Sequence, residues 1–284
     1  MPEQDFLVEA DVLEARLADP AVRIFDVRHD LFDAAAGRKA YEAGHVPGAF
    51  FLSQADALSG PMTGTNGRHP LPDRGRLAAL MQRCGLSADR LAVVYDDGGS
   101  GFAVRAWWLL RWAGHSQVRI LNGGWRAWCA AGGASEAGEG AVPADGPQQL
   151  PVPQAMPTIS AAGVLAGLTP AGPLLIDARD APRYHGHTEP LDPVAGHIPG
   201  AVNRPIADNL DADGRFKPAV QLRSEFEALL HGRAPGDVVH YCGSGITACH
   251  NLFAMELAGL SGSVLYPGSW SEWCSDAQRP VARD

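Results

Sequence analysis

Short runs of consecutive apolar residues alternate along this chain with longer segments whose apolar positions recur at helical spacing. Residues 91–95 (LAVVY) form one such run, and residues 104–112 follow it with helical periodicity. Residues 238–241 (VVHY) form another, followed by the helical pattern of residues 247–258. The pattern therefore predicts an α/β fold in which each domain is a parallel sheet with helices on both faces.

The same order of local signals occurs twice, which predicts a tandem repeat of two domains. The corresponding pairs are 24–28 (IFDVR) with 175–179 (LIDAR), 44–49 (GHVPGA) with 196–201 (GHIPGA), 93–96 with 239–242, and 124–129 with 269–274. Between the halves lies a segment rich in Gly, Pro and Gln with few large apolar residues, which is typical of a linker. We therefore predict a first domain at residues 1–132, a linker at 133–157 and a second domain at 158–284.

Length and composition exclude several classes of protein. The chain has 284 residues, 46% of them hydrophobic, which is enough for two domains with separate cores. A formal net charge of -9 without any basic run argues against nucleic acid or an anionic membrane as the partner, because both would repel the protein. The sequence has no secretory signal pattern and no apolar stretch of bilayer length, so we expect a cytoplasmic protein.

The five cysteines are an odd number without Cys-x-x-Cys spacing, which fits neither a disulfide scaffold nor a structural zinc site. We expect reduced thiols, no metal ion and no cofactor. Cys242 differs from the others because it directly follows the apolar run 238–241 and begins a Cys-Gly-Ser-Gly-Ile-Thr loop. In a parallel sheet, such a strand delivers the next residue to the edge where ligands bind.

The loop after Cys242 predicts a reactive sulfur. Its glycines let backbone N–H groups turn toward the sulfur, and these amides together with the dipole of the following helix stabilise a thiolate. The alternative is a small buried cysteine at a strand end, but a core position does not need a Gly-Ser-Gly loop after it. We therefore predict that Cys242 is a nucleophile.

The first half carries Asp96 where the second half carries the thiol, in the sequence Asp-Asp-Gly-Gly-Ser-Gly. This half cannot use the same nucleophile. It either supplies a wall and side chains to the site, or it only stabilises the repeat.

The repeated Gly-His-Val/Ile-Pro-Gly-Ala box, the Asp-x-Arg turn before it, the cysteine loop and the sequence PGSWSEW at 267–273 together resemble the tandem-domain sulfurtransferases of the rhodanese family. The resemblance spans about residues 5–280 and implies two rhodanese-like domains. It implies an enzyme that moves sulfur from 3-mercaptopyruvate, through a Cys242 persulfide, to a thiophilic acceptor such as cyanide or a thiol. A thiol redox protein is a candidate partner. The uncharged loop is similar to that of mercaptopyruvate-using members, whereas thiosulfate-preferring members carry cations after the cysteine.

The resemblance also implies a donor-binding residue. Arg183 lies in a segment similar to the family's Arg-aromatic-x-Gly-Thr-Glu-Pro motif, and a planar guanidinium suits the donor carboxylate. Mercaptopyruvate-using members carry a second arginine shortly after the Glu-Pro, where this chain has Leu191-Asp192-Pro193. The loop residues predicted to bind substrate through their amides are Gly243, Gly245, Ile246 and Thr247.

Ser244 and His69 match two members of a serine, histidine and aspartate set that, in the family, handles the proton of the departing enolate. We therefore predict catalytic roles for both, with Asp56 as the nearest candidate for the third member. His45 and His197 belong to the box that both halves share, so we predict structural roles for them.

Other functions stay open at this point. Thiosulfate as the donor is favoured by the missing second arginine and opposed by the uncharged loop. The chain is alternatively a persulfide carrier that hands sulfur to a protein without efficient turnover. A cysteine phosphatase needs an arginine at the far end of the loop, where this chain has Ala248.

Overall fold

The computed structural model describes residues 6–147, 150, 152 and 156–283. Among the described residues, the chain forms two compact units. The first unit comprises residues 6–60, 72–156 and 212–216, and the second comprises residues 61–71, 157–211 and 217–283. The first five residues of the chain, and residues 148, 149, 151 and 153–155 of the predicted linker, lie outside the described part. The domain and linker boundaries given above stay a prediction.

The first unit is built on a five-stranded parallel sheet with the order β1-β5-β4-β2-β3. Its strands are β1 (Leu7–Val8), β2 (Val22–Asp26), β3 (Phe50–Phe51), β4 (Leu91–Tyr95) and β5 (Val118–Leu121). Its helices are α1 (Ala10–Glu14), α2 (Ala36–Ala43), α3 (Arg74–Arg83), α4 (Ala103–Trp112) and α5 (Gly124–Ala130). All five residues of β4 are buried, as expected for a central strand covered on both faces.

The second unit repeats this plan with a four-stranded parallel sheet of order β7-β6-β8-β9. Its strands are β6 (Leu174–Asp177), β7 (Val202–Asn203), β8 (Val238–Tyr241) and β9 (Val264–Leu265). Its helices are α6 (Ala161–Ala166), α7 (Ala181–Tyr184), α8 (Ala219–Leu230), α9 (Ala248–Leu257) and α10 (Ser269–Trp273), with short 3-10 helices at Ile206–Asn209 and Pro235–Asp237. In the described part of the chain, no helix has the length and apolar character that crossing a bilayer requires.

The structure confirms the predicted α/β architecture and the elements read from the apolar pattern. The predicted strands at 91–95 and 238–241 are β4 and β8. The helix predicted at 104–112 begins one residue earlier, and the helix predicted at 247–258 spans Ala248–Leu257 with Thr247 and Ala258 as its caps. Helix ends commonly differ by this much because the terminal residues make only part of the helical hydrogen bonds.

The histidine of the repeated box has the same packing in both halves. His45 donates through Nδ1 to the carbonyl of Tyr41 at 2.8 Å, and its ring stacks on that tyrosine with 3.8 Å between centroids. His197 makes the equivalent contacts with Tyr184, at 2.8 Å and 4.0 Å. The predicted structural roles of these histidines agree with this geometry, since the first half has Asp96, and not a cysteine, at the start of its loop.

The Asp-x-Arg turns brace the strand ends in both units. Arg179 pairs with Asp177 at 2.7 Å and donates to the carbonyl of Gly196 at 2.7 Å. Arg28 pairs with Asp26 at the same distance in the first unit. Both ion pairs are almost fully buried, and several hydrogen bonds satisfy each of them. Each pair fixes the chain as it leaves the carboxyl edge of its own sheet.

One buried side chain makes stability depend on pH. His240 in β8 pairs in register with Ile176 and Leu265, and neither of its ring nitrogens has a hydrogen-bond partner among the described residues. Burial lowers its pKa from 6.5 to about 3, so the folded protein keeps the ring neutral. As pH falls below 6.5, the unfolded chain takes up a proton that the folded chain does not. Stability is therefore full above pH 6.5 and decreases as pH falls toward 3.

We expect this group alone to lower the free energy of unfolding by about 3 kcal/mol between pH 7.5 and pH 4.5. Denaturant unfolding of His240→Phe at both pH values should show a pH dependence weaker by that amount. His187→Gln is the matched control because His187 is exposed. Equal pH dependence in His240→Phe and in the unmodified protein would refute the prediction.

Candidate active site

Cys242 is the first residue after β8 and lies at the carboxyl edge of the sheet. Its side chain is buried, and the N–H of Gly245 donates to its Sγ at 3.1 Å. Helix α9 begins six residues after the sulfur, at Ala248, so the positive end of its dipole lies on the same loop. An amide donor and a helix N-terminus both favour negative charge on sulfur, which is the form that acts as a nucleophile.

Gly245 has the backbone conformation that brings its amide to the sulfur. Its φ is +81°, in the left-handed region, and a Cβ atom placed on it would lie only 2.2 Å from the carbonyl oxygen of Pro267. Glycine is therefore required here by both conformation and space. The next two predicted loop residues are Ile246, which is buried, and Thr247, the half-buried N-cap of α9.

The segment around α10 holds the backbone of the cysteine loop from the other side. Ser269 Oγ accepts a hydrogen bond from the N–H of Cys242 at 3.1 Å. The N–H groups of Trp270 and Ser271 donate to the carbonyls of Cys242 and Gly243, each at 2.9 Å. Sequence reasoning quoted this motif for its resemblance but did not assign it this supporting role. The one sequence signal for this role was that residues 269–274 correspond to residues 124–129 of the first half.

His69 and Ser244 are adjacent in the second unit although 175 residues separate them. His69 Nδ1 lies 2.8 Å from Ser244 Oγ, within hydrogen-bond range. The segment that carries His69 is fixed by Gly67, whose φ is +82°, and by a hydrogen bond from the N–H of Arg68 to Ser271 Oγ at 3.1 Å. Asp56, the candidate third member, is an exposed residue of the first unit.

Arg183 lies within the single turn of α7 and is held by a buried carboxylate. Its Nη2 lies 2.7 Å and its Nε 3.2 Å from the oxygens of Glu189, which also accepts from Arg179 at 3.3 Å. Burial acts to raise the pKa of Glu189, but the hydrogen bonds from Arg183 and from the N–H of Leu191 hold that pKa below its usual value. A Cβ placed on Gly243 would be 3.4 Å from both terminal nitrogens of Arg183. The guanidinium therefore lies directly beside the cysteine loop.

Arg68 and Asp192 lie beside Arg183. The sequence did not single out Arg68, and Asp192 was interpreted only as the absence of an arginine. The Asp192 side chain is buried and forms an ion pair with Arg68 through Nη1 and a longer one with Arg183 at 3.5 Å. Burial raises the pKa of the Asp192 carboxyl, and the hydrogen bond from Arg68 acts against it. The only sequence signal that Arg68 belongs to the site was its position next to His69.

The sequence matches the rhodanese-like domain family over residues 9–131 and again over residues 160–276. The chain belongs to the rhodanese-like family. A probable 3-mercaptopyruvate sulfurtransferase from Pseudomonas aeruginosa is 50% identical over 279 residues, covering 97% of each chain. A putative thiosulfate sulfurtransferase from Mycobacterium tuberculosis is 42% identical over 287 residues, covering 99% of this chain and 97% of the relative. The structure of the Leishmania major 3-mercaptopyruvate sulfurtransferase matches with a TM-score of 0.83 at 27% identity, covering 99% of this chain and 77% of that one.

These similarities confirm the predicted family, its two rhodanese-like domains and its class of enzyme, the sulfurtransferases. They are also consistent with a small-molecule sulfur donor and acceptor.

The first rhodanese-like domain keeps the loop but fills it with its own side chain. The carboxylate of Asp96, at the end of β4, accepts hydrogen bonds from the N–H groups of Gly98 at 3.0 Å, Phe102 at 2.8 Å and Ala103 at 3.1 Å. Burial raises the pKa of Asp96 to about 6, while the three amide donors act in the opposite direction. The start of α4 thus has an anion supplied by the chain itself, in the position that sulfur occupies in the second domain.

Proposed function

We propose that this protein is a sulfurtransferase whose donor is 3-mercaptopyruvate and whose carrier group is the thiolate of Cys242. The observation that carries the proposal is the arrangement at Gly243. On one side of Gly243, the sulfur of Cys242 accepts a hydrogen bond from the N–H of Gly245. On the other side, the Arg183 guanidinium lies 3.4 Å from a Cβ atom placed on Gly243. A nucleophilic sulfur beside a guanidinium suits a small donor that carries sulfur and a carboxylate. The Pseudomonas relative bears the same function in its name.

The first half-reaction transfers sulfur to the enzyme. The Cys242 thiolate attacks the thiol sulfur of mercaptopyruvate, so that an S–S bond forms and the bond from sulfur to C3 breaks. The electron pair of the broken bond remains on the three-carbon fragment as the enolate of pyruvate. A proton added at C3 then gives pyruvate, and the enzyme keeps a persulfide on Cys242. The persulfide first carries the proton of the donor thiol. When this proton is released to solvent, the loop amides at Gly243, Gly245, Ile246 and Thr247 stabilise the negative charge left on the outer sulfur.

Ser244 and His69 handle the proton in this proposal. Their 2.8 Å separation lets the Ser244 hydroxyl give a proton to C3 of the enolate while His69 resupplies the oxygen. Proton transfer by a positioned side chain typically contributes about 100- to 10,000-fold in rate. Ser244 directly follows Gly243, so the pair lies next to the place where the donor would bind.

The second half-reaction removes the sulfur. A thiophilic acceptor, either cyanide or a thiol, attacks the outer sulfur of the persulfide and releases the Cys242 thiolate, giving thiocyanate or a new persulfide. The two half-reactions share one covalent intermediate, so ping-pong kinetics follow. We assign this exchange to the cytoplasm, in keeping with five cysteines that form no disulfide, and a thiol redox protein is the candidate acceptor there.

Thiosulfate is the competing donor, since the Mycobacterium relative is named for it. Its sulfonate is also an anion, but none of the loop residues from Gly243 to Thr247 is itself a cation. We expect kcat/KM with mercaptopyruvate to exceed that with thiosulfate by at least about tenfold, the effect of one charged contact. Both donors are compared with cyanide as the acceptor.

A higher kcat/KM with thiosulfate would contradict the assigned donor and leave sulfur transfer intact. A pure persulfide carrier would give a third pattern. Cys242 would then be loaded stoichiometrically by a donor, yet turnover with cyanide or dithiothreitol would be slower than loading by orders of magnitude.

A further inference from the structure

Two guanidinium groups, and not one, face the residue after Cys242. A Cβ atom placed on Gly243 would lie 3.0 Å from Nη2 of Arg68 and 3.4 Å from Nη1 of Arg183. The two arginines come from segments 115 positions apart in the sequence, and both segments belong to the second unit. Any side chain at residue 243 would fill the space in front of them, so this glycine keeps both cations accessible to a ligand of the cysteine loop.

Two buried carboxylates hold these cations in place. The Asp192 and Glu189 side chains are each only 3% exposed, whereas Arg68 is 27% and Arg183 is 15% exposed. Asp192 contacts Nη1 of Arg68, and Glu189 contacts Nε and Nη2 of Arg183. The terminal nitrogens that these carboxylates leave free of contact, Nη2 of Arg68 and Nη1 of Arg183, both lie beside Gly243. The carboxylates thus fix the orientation of both guanidinium groups, and each guanidinium keeps N–H donors on the side that faces the cysteine loop.

From this arrangement we infer that Arg68 is a second donor-binding residue, which together with Arg183 binds the carboxylate of a 2-oxo acid beside Cys242. The inference rests on the proposed function. A carboxylate has two oxygens that can each accept from a different guanidinium, and the reactive sulfur of the donor is then directed toward the neighbouring residue. Arg68 thus supplies the second cation that the stretch Leu191-Asp192-Pro193 lacks, and Asp192 of that stretch holds it in place.

Steady-state kinetics with mercaptopyruvate and saturating cyanide test the role of Arg68. In Arg68→Met, which removes the charge and keeps most of the length, we expect KM to rise about 10- to 100-fold while kcat changes less than about threefold. Arg223→Met is the matched control in the same unit, because it also removes one positive charge and one ion pair, with Glu227 at 2.9 Å. It should leave both constants within about twofold of the unmodified protein.

An alkylation assay gives a readout that does not depend on sulfur transfer. Iodoacetate and iodoacetamide both alkylate a thiolate, with a new S–C bond and loss of iodide, but only iodoacetate carries a carboxylate. The ratio of their rates at Cys242 should fall about tenfold in Arg68→Met and stay unchanged in Arg223→Met. In Asp192→Asn, which leaves the Arg68 charge in place, the ratio should not fall.

A purely structural role for the Arg68–Asp192 pair predicts a different result. Both Arg68→Met and Asp192→Asn would then slow the two reagents equally, and this outcome, or an unchanged KM in folded Arg68→Met, overturns the inference. If Arg68→Met does not fold, Arg68→Lys keeps the charge and should give an intermediate rise in KM. If the unmodified protein does not use mercaptopyruvate, the proposed function fails, while the alkylation ratio still decides whether Arg68 binds a carboxylate.

Discussion

Replacing Cys242 by serine is expected to lower the rate of sulfur transfer by at least about 1,000-fold. A serine hydroxyl fits the buried space and can still accept from the Gly245 amide, so the fold should be retained. It is not ionised near neutral pH and cannot form a persulfide. The measurements are kcat with mercaptopyruvate and cyanide, and the mass of the protein after incubation with mercaptopyruvate alone. The unmodified chain should gain the mass of one sulfur atom, and the variant should gain nothing.

Cys249→Ser is the control for this experiment. Cys249 is also buried and lies on α9 after the same loop, where its S–H donates to the carbonyl of Gly245 at 3.5 Å. A serine hydroxyl can make the same hydrogen bond, so we expect activity within about threefold of the unmodified protein. Retention of more than a tenth of the activity in Cys242→Ser, or an added sulfur on the peptide of Cys249, would show that another thiol carries the sulfur.

Replacing Arg183 by alanine is expected to weaken donor use by about 2–4 kcal/mol, which is roughly 30- to 1,000-fold in kcat/KM. Arg183 is partly buried, so in the proposed reaction it would meet the donor in a shielded position, where a charge-assisted contact is stronger than on the open surface. Glu189 keeps its contacts with Arg179 and with the backbone N–H groups of Leu191 and Asp192 in the variant, so the segment retains its support. The measurement is kcat/KM for mercaptopyruvate at fixed cyanide.

Two further variants make the Arg183 result interpretable. Arg183→Lys keeps the charge but loses the two-point geometry, and we expect it to lie between alanine and the unmodified protein. Arg223→Ala, on the exposed face of α8, should change kcat/KM by less than twofold. A normal kcat/KM in Arg183→Ala would remove this arginine from the donor site.

Local sequence patterns were sufficient for the central strands β4 and β8 and for the form of the cysteine loop. The strands at 91–95 and 238–241 are continuous apolar runs because both of their faces are covered, and this signal needs no knowledge of distant residues. The loop of Cys242 was equally local, since the strand, the two glycines and the helix follow one another directly. Gly245 shows why, because its positive φ and its approach to Pro267 permit no other residue.

The charged part of the site was not local and could not be read in this way. Arg68 is 124 residues from Asp192 and 175 residues from Gly243, and only the folded chain shows that they are neighbours. At residue 192 the sequence shows an aspartate near the position where an arginine was expected, and the simple interpretation was a lost cation. The structure shows that this aspartate binds an arginine from another segment, so the positive charge comes from a different place in the chain.

The carboxylate of Asp96 occupies the loop amides of the first half of the repeat, and raising the concentration of a dissolved anion does not change this difference between the halves. It is tethered to the amides it contacts, so it reaches them without an association step and at an effective concentration that dissolved anions do not approach. Sulfite, phosphate or a substrate acid therefore cannot displace it appreciably. At pH values above 6, the first half of the molecule keeps the same carboxylate in its loop, whereas in the proposed reaction the second half holds an atom whose charge and size change each time a sulfur arrives and leaves.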